Sequence, residues 1–443
     1  MPPEAIDLLI EARWVLPIAP VNTVLADHAV AVTDGRIVAL GPAEQMNARF
    51  EPRERAVRPH HALLPGFVNS HTRAAMRLLR GLAVRGPRMR WLNEILWPAE
   101  RRGIGPDFVR DGTKLAIAEM LLAGITSFAD MYLFPEEAAR AAAAARMRAA
   151  IGLPVADAPN AWAESATAHF AKAERLWDEY KSDPWVCLYF APQDVGQVSD
   201  ATLLRVRRVA DELDARVSMT VHATDVEVHD SLVQHGRRPL SRLQELGLLQ
   251  PGFTAIHMNH LDDQDIQIIA KTGIGVVACA QSDLRLGSGI CAVQRLDAQQ
   301  VTVGLGTGDP ASAGALDILS EARAVVQIAN GTGGGSVPLS AERVLRMATL
   351  GGALALGLGS LTGSIEPAKA ADLVCFDLSA LACQPAARPA DAIVFGATRQ
   401  QASDVWTSGR AAVSAGHLLA FDEKELSTLA RQWSQRMQIG DGQ

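Results

Sequence analysis

The chain has 443 residues, which exceeds an ordinary single domain but suits one large α/β barrel with a smaller appended domain. Hydrophobic residues make up 48% and charged residues 21% of the chain, as in globular proteins, so disordered and fibrous classes are excluded. The formal net charge of -7 provides no basic surface for nucleic acid or for an anionic membrane. No apolar run approaches the roughly 18 residues of a membrane span, so no membrane association is expected.

The cysteines and the N-terminal residues indicate the cellular compartment. The five cysteines are an odd number, lie far apart and include no C-x-x-C pair, so neither a disulfide framework nor a thiolate zinc site is predicted. The first residues, MPPEAIDLLIEARWVL, carry early acidic groups and lack a basic region followed by an apolar run. We therefore expect a cytoplasmic protein in a reducing environment.

The order of the predicted elements along the chain indicates two domains. Residues 1–62 show short apolar or alternating runs with a turn at Asp34-Gly35, which predicts a small β module. From residue 63 the pattern changes to short apolar runs, each followed by a segment of helical period, as in parallel strands joined by crossover helices. The predicted strands are residues 63–70, 125–131, 149–156, 185–191, 216–222, 253–258, 274–280 and 301–306. These units predict a closed (β/α)8 TIM barrel over residues 63–365.

The C-terminal part of the chain returns to strand chemistry. After a predicted helix at residues 339–356, strand-forming residues recur at 371–376 and 405–410. We expect residues 366–443, which also contain a terminal helix, to pair with the N-terminal module. One small β-sandwich domain would then be built from both ends of the chain.

Polar residues at the ends of the predicted barrel strands are the functional candidates. In such barrels the chemistry lies on the loops at the C-terminal ends of the strands. The polar segments at these ends are residues 69–73, 191–193, 220–224, 257–260 and 307–309.

Several segments of the chain together resemble a known family. They are LLPGFVNSHT, AAMRLLRGL, WLNEILWPAE, TSFADMY, HGRRPL, AIHMNHLDD, GSIEPAKAADLV and VWTSGR. The chain resembles the amidohydrolase superfamily, in particular the branch that contains methylthioadenosine and S-adenosylhomocysteine deaminases and triazine hydrolases. The resemblance covers nearly the whole chain. It implies a TIM barrel, a homodimer and a small-molecule ligand that is purine-like or another nitrogen heterocycle.

The chain departs from this family at the metal-binding positions. The family binds one divalent metal through H-x-H after strand one, a His on strand five and an Asp after strand eight, and a nearby Glu handles protons. In this chain the H-x-H reads His71-Thr72-Arg73, and the other positions are occupied by Thr220, Gly308 and, for the Glu, Ala223. Zinc needs three or four donors, so the sequence predicts no metal and no other cofactor.

The resemblance also assigns roles to individual residues. His257 matches the strand-six His that positions water and substrate, Glu100 matches the acidic residue that contacts the ribose, and Gln193 replaces a substrate-contacting His. His222 lies two residues beyond Thr220, so it should face the same side of its strand and line the pocket. The predicted catalytic residues are His71, His257 and Asp309, and the predicted substrate-binding residues are Arg73, Glu100, Gln193, Thr220 and His222.

Arg73 is expected to replace the charge of the metal. A guanidinium cannot deprotonate and cannot act as a ligand, but it can balance a carboxylate. We expect Arg73 to contact Asp309 directly or through a water. Asp309 lies one residue beyond the family's ligand position, and the loop would have to absorb that slip.

The residues leave three functions open. The leading hypothesis is a degenerate homologue that binds a heteroaromatic ligand or a partner without hydrolysing it, and it predicts no deamination of methylthioadenosine, S-adenosylhomocysteine or adenosine. The second is a metal-independent enzyme in which His71, His257 and Asp309 act as acid, base and orienting carboxylate on a substrate polarised by Arg73. The third is a C–N hydrolase or deaminase whose metal site is rebuilt from His71, His222, His257 and Asp309.

Overall fold

The structure is a computed structural model that describes residues 3–82, 84, 86, 88–333 and 337–437. Its strands are β1 (Glu4–Val15), β2 (Leu25–Thr33), β3 (Arg36–Pro42), β4 (Phe50–Pro65), β5 (Phe67–Thr72), β6 (Ile125–Asp130), β7 (Arg148–Val155), β8 (Val186–Pro192), β9 (Arg216–Val221), β10 (Phe253–His257), β11 (Gly275–Ala278), β12 (Val303–Leu305), β13 (Leu373–Asp377), β14 (Ala402–Thr407), β15 (Arg410–Ser414) and β16 (His417–Leu418).

The α-helices are α1 (Ala43–Arg49), α2 (Arg88–Trp91), α3 (Trp97–Gly103), α4 (Pro106–Leu122), α5 (Pro135–Ala145), α6 (Ala166–Tyr180), α7 (Asp200–Leu213), α8 (Asp225–His235), α9 (Pro239–Glu245), α10 (Asp263–Thr272), α11 (Ala280–Arg285), α12 (Val293–Ala298), α13 (Pro310–Ala313), α14 (Ile318–Thr332), α15 (Ala341–Arg346), α16 (Gly352–Ala355), α17 (Pro389–Asp391) and α18 (Glu423–Arg436). Short 3-10 helices lie at Ala74–Leu79, Leu381–Cys383 and Arg399–Gln401, and π-helical turns lie at Leu92–Leu96, Met347–Gly351 and Ala392–Gly396.

Strands β5 to β12 form the predicted parallel barrel. Each pairs with the next in chain order, and every residue of β5 and β6 is buried, as expected of strands covered on both faces. The barrel closes between β5 and β12 through an isolated parallel bridge of Thr72 with Gly308. The Gly308 N–H donates to the His71 carbonyl at 3.1 Å. The predicted (β/α)8 fold is therefore confirmed.

Helix starts follow local sequence signals. The Ser199 side chain accepts a hydrogen bond from the Thr202 N–H at the start of α7, and Thr224 accepts one from the Glu227 N–H at the start of α8. These caps satisfy N–H groups that have no partner within the helix. Both helices begin just after the loop that follows a barrel strand, so the caps help to fix the loops of the barrel mouth.

The remaining strands form one eight-stranded sheet from both ends of the chain, in the order β16-β15-β14-β13-β4-β1-β2-β3. This confirms the predicted terminal domain. Strand β4 continues to Pro65, because Leu63 pairs with Val15 on one side and with Cys375 on the other. Residues 63–65, which the sequence analysis placed in the first barrel strand, thus lie in the terminal sheet.

Buried polar and aromatic contacts join the two domains. The Arg148 side chain on β7 lies 2.6 Å from the carboxylate of Asp372, just before β13, and both side chains are almost fully buried. Trp433 on α18 packs edge-on against Phe108 of α4, and its Nε1 donates to Asp111 at 2.9 Å. Among the described residues, no helix combines the length and apolar character required to cross a bilayer.

Candidate active site

The C-terminal mouth of the barrel brings several predicted residues together. The rings of His71 on β5 and His257 on β10 lie with their centroids 5.9 Å apart in an edge-to-face arrangement. Arg73 follows β5 directly, and its charge acts on the His71 imidazole. Strand ends that are distant in the sequence thus meet here, as the barrel geometry requires.

His71 is a neutral, buried imidazole. Burial, with smaller contributions from the nearby charges of His257, Arg73 and Arg88, lowers the pKa of His71 well below its usual range. Its Nδ1 is buried and has no hydrogen-bond partner among the described residues. A buried polar atom without a partner is uncommon, and it leaves His71 able to bond to a bound ligand or water.

His257 is held by a carboxylate. Its Nδ1 lies 2.9 Å from Oδ1 and 3.1 Å from Oδ2 of Asp283, on α11 directly after barrel strand β11. A carboxylate accepts only, so Nδ1 carries the proton and Nε2 is left as the acceptor. The His257 backbone has a φ of 78°, a region that non-glycine residues rarely adopt and that often marks functional positions. Asp283, rather than the predicted Asp309, orients this imidazole.

Asp309 has another partner. Its Oδ1 accepts a hydrogen bond from the Ser312 N–H at 2.8 Å, which caps the short helix α13. No carboxylate lies within 4.0 Å of the Arg73 guanidinium in the described part of the chain, so Arg73 and Asp309 form no direct ion pair. The negative charge of Asp309 instead acts on Glu100.

A cavity of about 360 Å³ opens beside Arg73. Glu100, Arg73 and Gln193 contribute polar groups to it, while Trp97, Met131 and Val155 contribute apolar surface. Tyr132 also lines the cavity, and its hydroxyl donates to Glu100 Oε1 at 2.6 Å. Burial raises the pKa of the Glu100 carboxyl, although this hydrogen bond acts in the opposite direction. An apolar cavity of this size with a few polar groups suits a small heteroaromatic ligand.

A second cavity of about 260 Å³ shares Arg73, Trp97 and Gln193 with the first. It is also lined by Thr220 and by Glu227, a residue to which the sequence analysis gave no role. The shared residues make the two cavities neighbouring parts of one binding region. His71 and His257 are not lining residues of either cavity, but the charges of two lining residues, Arg73 and Arg88, act on His71.

Glu227 places a carboxyl group at the end of β9. Its two oxygens accept the N–H groups of His222 at 2.7 Å and Ala223 at 3.0 Å. Burial raises the pKa of Glu227 to about 7, against these two hydrogen bonds. The pattern Thr224-x-x-Glu227 is the signature of a helix-capping box and was the signal in the sequence that could have identified this carboxyl.

Thr220 and His222 are placed differently from each other. Thr220 is buried, and its hydroxyl has no partner among the described residues. His222 lines neither of these two cavities. Its Nδ1 lies 3.1 Å from the His260 carbonyl, and its Nε2 accepts the Leu240 N–H at 3.2 Å. Both ring nitrogens are occupied, so His222 has no lone pair free for a metal in this arrangement.

Asp130 adds a second carboxyl group with a shifted pKa. It ends β6, it is almost fully buried, and its Oδ1 accepts the Ala74 N–H at 2.6 Å. Burial raises the pKa of Asp130 to about 7, against the hydrogen bond from Ala74 and the charge of Arg73. The barrel mouth thus contains two carboxyl groups that change protonation near neutral pH.

The side chains at the mouth do not match the donor set of a zinc site. The positions that hold ligands in the family carry Arg73, Thr220 and Gly308, which leaves His71 and His257 as the imidazoles at this end of the strands. Within the described ranges, no group of three or more His, Cys, Asp or Glu side chains is arranged to hold a metal ion. Three or four such donors are required for zinc.

Comparisons with known proteins cover almost the entire chain. The model of the amidohydrolase family matches residues 62–412. A 5-methylthioadenosine/S-adenosylhomocysteine deaminase of Teredinibacter turnerae is 38% identical, with 98% of each chain covered. The enzyme of the same name from Saccharophagus degradans is 36% identical, with 98% of this chain and 97% of that protein covered.

Solved structures also match this chain over almost its entire length. A zinc-bound adenosine deaminase from Xanthomonas campestris is 44% identical, with a TM-score of 0.97 over 99% of this chain and 100% of that chain. An atrazine chlorohydrolase from Arthrobacter aurescens is 22% identical, with a TM-score of 0.89 over 96% of this chain and 99% of that chain. The second likeness is one of fold alone. The resemblance stated from the sequence motifs is confirmed.

The leading hypothesis of a degenerate homologue without catalysis is wrong. Relatives that match over nearly the whole length are named as deaminases, and a structure at 44% identity is a zinc-bound deaminase. The interpretation as a metal-free pseudoenzyme conflicts with these same findings. It rested on four substitutions at three strand ends, those of Arg73, Thr220, Ala223 and Gly308, and gave too little weight to what the rest of the barrel retains.

Proposed function

Because the chain belongs to the amidohydrolase family, we propose that it is a hydrolase that releases ammonia from an amino-substituted purine nucleoside. The observation that carries this proposal is the buried His257–Asp283 pair at the end of the strands, in a barrel mouth that also holds a cavity of suitable size. The relatives named as methylthioadenosine/S-adenosylhomocysteine deaminases and as an adenosine deaminase support this class of substrate.

The larger cavity binds the nucleoside. The apolar side chains of Trp97, Met131 and Val155 contact the faces of the purine ring. Glu100 accepts hydrogen bonds from the ribose hydroxyls, and Tyr132 holds its carboxylate in place through the 2.6 Å hydrogen bond. Gln193 donates to the ring from the boundary of the two cavities.

The buried histidines and carboxyl groups perform the proton transfers. A water oxygen forms a bond to the ring carbon that bears the amino group, and His257 Nε2 accepts a proton from that water while Asp283 stabilises the resulting imidazolium. The bond from this carbon to the amino nitrogen then breaks. Glu227, whose pKa is about 7, gives a proton to the departing amine, which leaves as ammonia. His257 then returns its proton to Glu227 through solvent.

Two further residues act on the ring. The Arg73 charge stabilises the negative charge that develops on the ring nitrogen when water adds. Neutral His71 offers a hydrogen bond to the ring or to the attacking water. Thr220 contacts the ligand through its hydroxyl, which has no partner within the described ranges of the chain. Asp309 contributes indirectly, because it caps α13 and its charge acts on Glu100.

Ammonia release by the purified protein tests this function. Methylthioadenosine, S-adenosylhomocysteine and adenosine are each assayed with and without added zinc. We expect steady release that falls by at least about 100-fold in His257→Asn, the contribution expected of a general base. His229→Asn changes an exposed histidine on α8 and should retain the wild-type rate.

Specific results of this assay would contradict the proposal. No ammonia above background from any of the substrates, with or without zinc, would contradict the proposed function. Equal rates in His257→Asn and the wild type would contradict the role of His257. Zinc content is measured on the same sample, because one retained equivalent would place water activation on an ion rather than on His257.

We also propose that the enzyme is a cytoplasmic homodimer, on the basis of the family resemblance. All five cysteines are free, as suits a reducing compartment. Light scattering after gel filtration should give twice the chain mass of 47.3 kDa. A monomer at micromolar concentration would contradict the dimer.

A further inference from the structure

A third cavity, of about 660 Å³, lies between the barrel and the terminal domain. Its wall combines α4, the 3-10 helix Ala74–Leu79, the edge of the terminal sheet and α18. It shares no lining residue with the two cavities of the barrel mouth. It is therefore separate from the candidate active site.

Arginine dominates the polar lining of this cavity. Arg77, Arg80, Arg399 and Arg431 all line it, whereas the lining contains only two carboxylates, those of Glu119 and Glu423. Arg77 and Arg80 lie in and just after the 3-10 helix, and Arg399 begins a second 3-10 helix in the terminal domain. Arginines from both domains thus contribute positive charge to the same cavity.

Three of these arginines share a single carboxylate. Glu119 Oε2 lies 2.9 Å from both Arg77 Nε and Arg80 Nη1. Its Oε1 lies 3.0 Å from Arg80 Nη2 and 3.3 Å from Arg399 Nη1. Oε1 also accepts the Leu316 N–H at 3.1 Å. All the acceptor capacity of Glu119 is in use. Four guanidinium groups and two carboxylates line the cavity, so two positive charges have no counter-charge among the lining residues.

Burial and the excess positive charge both lower the pKa of Arg77. Burial lowers the pKa of Arg77, Glu119 opposes this, and the charges of Arg80 and Arg399 lower it further. The Nε of Arg80 is buried and has no hydrogen-bond partner among the described residues. This donor is therefore available to a ligand that carries negative charge.

We propose that this cavity binds a small phosphate-bearing anion. A dianion would balance the two uncompensated charges, and the planar fork of arginine matches phosphate oxygens. The volume exceeds that of a phosphate group, and Leu115, Leu122 and Leu426 give the cavity an apolar side. These features fit a phosphate ester of a small organic molecule. The proposal does not depend on the function of the barrel mouth.

Calorimetric titration of the full chain tests the site. Inorganic phosphate and glycerol 2-phosphate are titrated at an ionic strength held constant with sodium chloride. We expect saturable binding of one equivalent of each, with tighter binding of the ester. Equal affinities would assign the site to free phosphate as its ligand, which still supports an anion site of this chemistry.

Substitutions of single arginines test where the anion binds. Arg399→Gln should weaken binding about tenfold, the loss expected for one charge-assisted hydrogen bond. Arg399 is half-exposed, so this variant should fold, and Arg77→Gln provides a second test on the barrel side. Arg410→Gln removes an exposed arginine that does not line the cavity and should bind as the wild type does. Phosphate binding that does not saturate, or sodium chloride titration heats equal to those of phosphate, would overturn the proposal. Unchanged phosphate binding in Arg399→Gln would also overturn it.

Discussion

The imidazole of His257 and the carboxylate of Asp283 are buried together, with Nδ1 2.9 Å from Oδ1. Replacing the carboxylate by an amide keeps the shape but allows the wrong tautomer of the imidazole. We expect Asp283→Asn to lower kcat/KM for the best nucleoside substrate by about 100-fold or more. Asp263→Asn, at an exposed position of α10, is the matched control and should be neutral. Equal activity of the two variants would remove Asp283 from the mechanism.

Glu100 is expected to report on ribose recognition. Its carboxylate lines the cavity of about 360 Å³ beside Arg73 and accepts a hydrogen bond from the Tyr132 hydroxyl. Glu100→Gln should raise KM for a nucleoside about tenfold or more, because one charge-assisted hydrogen bond is lost. KM for the free aminopurine base should change little. Steady-state kinetics with the two substrate classes checks this, and a loss of the same size for both would show that Glu100 does not contact the ribose.

Gly308 should not tolerate the aspartate of the family pattern. Its φ is +64°, and an added Cβ would lie 3.0 Å from Ser282 Cβ and 3.1 Å from Ser282 Oγ. Gly236 has a φ of +69° with nothing within 4 Å of an added Cβ, so Gly236→Asp carries the backbone cost alone. We expect Gly308→Asp to lose about 1–3 kcal/mol more unfolding free energy than Gly236→Asp. Urea denaturation measures the difference, and equal losses would show that Ser282 moves aside.

The Arg148–Asp372 pair should be costly to break from one side. Both side chains are nearly inaccessible, with relative exposures of 8% and 0%. Arg148→Met leaves a buried carboxylate without its cation and should lower the unfolding free energy by roughly 3–5 kcal/mol. The double variant Arg148→Met/Asp372→Asn removes that charge and should recover about 1 kcal/mol or more. A double variant less stable than Arg148→Met would contradict this explanation.

Glu321 should make stability depend on pH. Burial raises its pKa from 4.5 to about 8. The folded state therefore binds the proton more tightly than the unfolded state. The stabilisation is complete below pH 4.5 and is lost as the pH rises through about 8. Between these limits the contribution falls by on the order of 1 kcal/mol per pH unit.

Glu321→Gln removes this contribution. Denaturant unfolding at pH 5 and pH 8 should show a smaller decline in unfolding free energy for the variant than for the wild type. Glu174→Gln, at an exposed position of α6, should decline as the wild type does. The same decline in all three proteins would mean that Glu321 is ionised throughout.

The barrel could be predicted from the sequence because its strands are continuous apolar runs separated by helical segments. The strand predicted at residues 125–131 is observed at Ile125–Asp130, and the strand predicted at residues 216–222 is observed at Arg216–Val221. The boundary at residue 63 was less accurate, because Leu63 belongs to a strand whose partners, Val15 and Cys375, come from the two ends of the chain. Such non-local pairing leaves no local signal.

The candidate site was predicted in part. The strand ends placed His71, Arg73 and His257 correctly relative to one another, because parallel barrel strands end on the same side. The direction of side chains in the loops was not predictable. Asp309 turns to its own helix, and Asp283, on helix α11 after strand β11, takes the partner role that was expected of Asp309.

The bridge between β5 and β12 has a consequence for local opening. β7 and β8 are joined over seven residue pairs, whereas Thr72 and Gly308 form only an isolated bridge. Strand pairs with few shared hydrogen bonds separate at lower free energy than the global unfolding transition. Amide hydrogen exchange at Gly308 should therefore exceed that at Leu188 in the middle of β8. The seam between β5 and β12, which borders His71, would then open more readily than the pairing of β7 with β8.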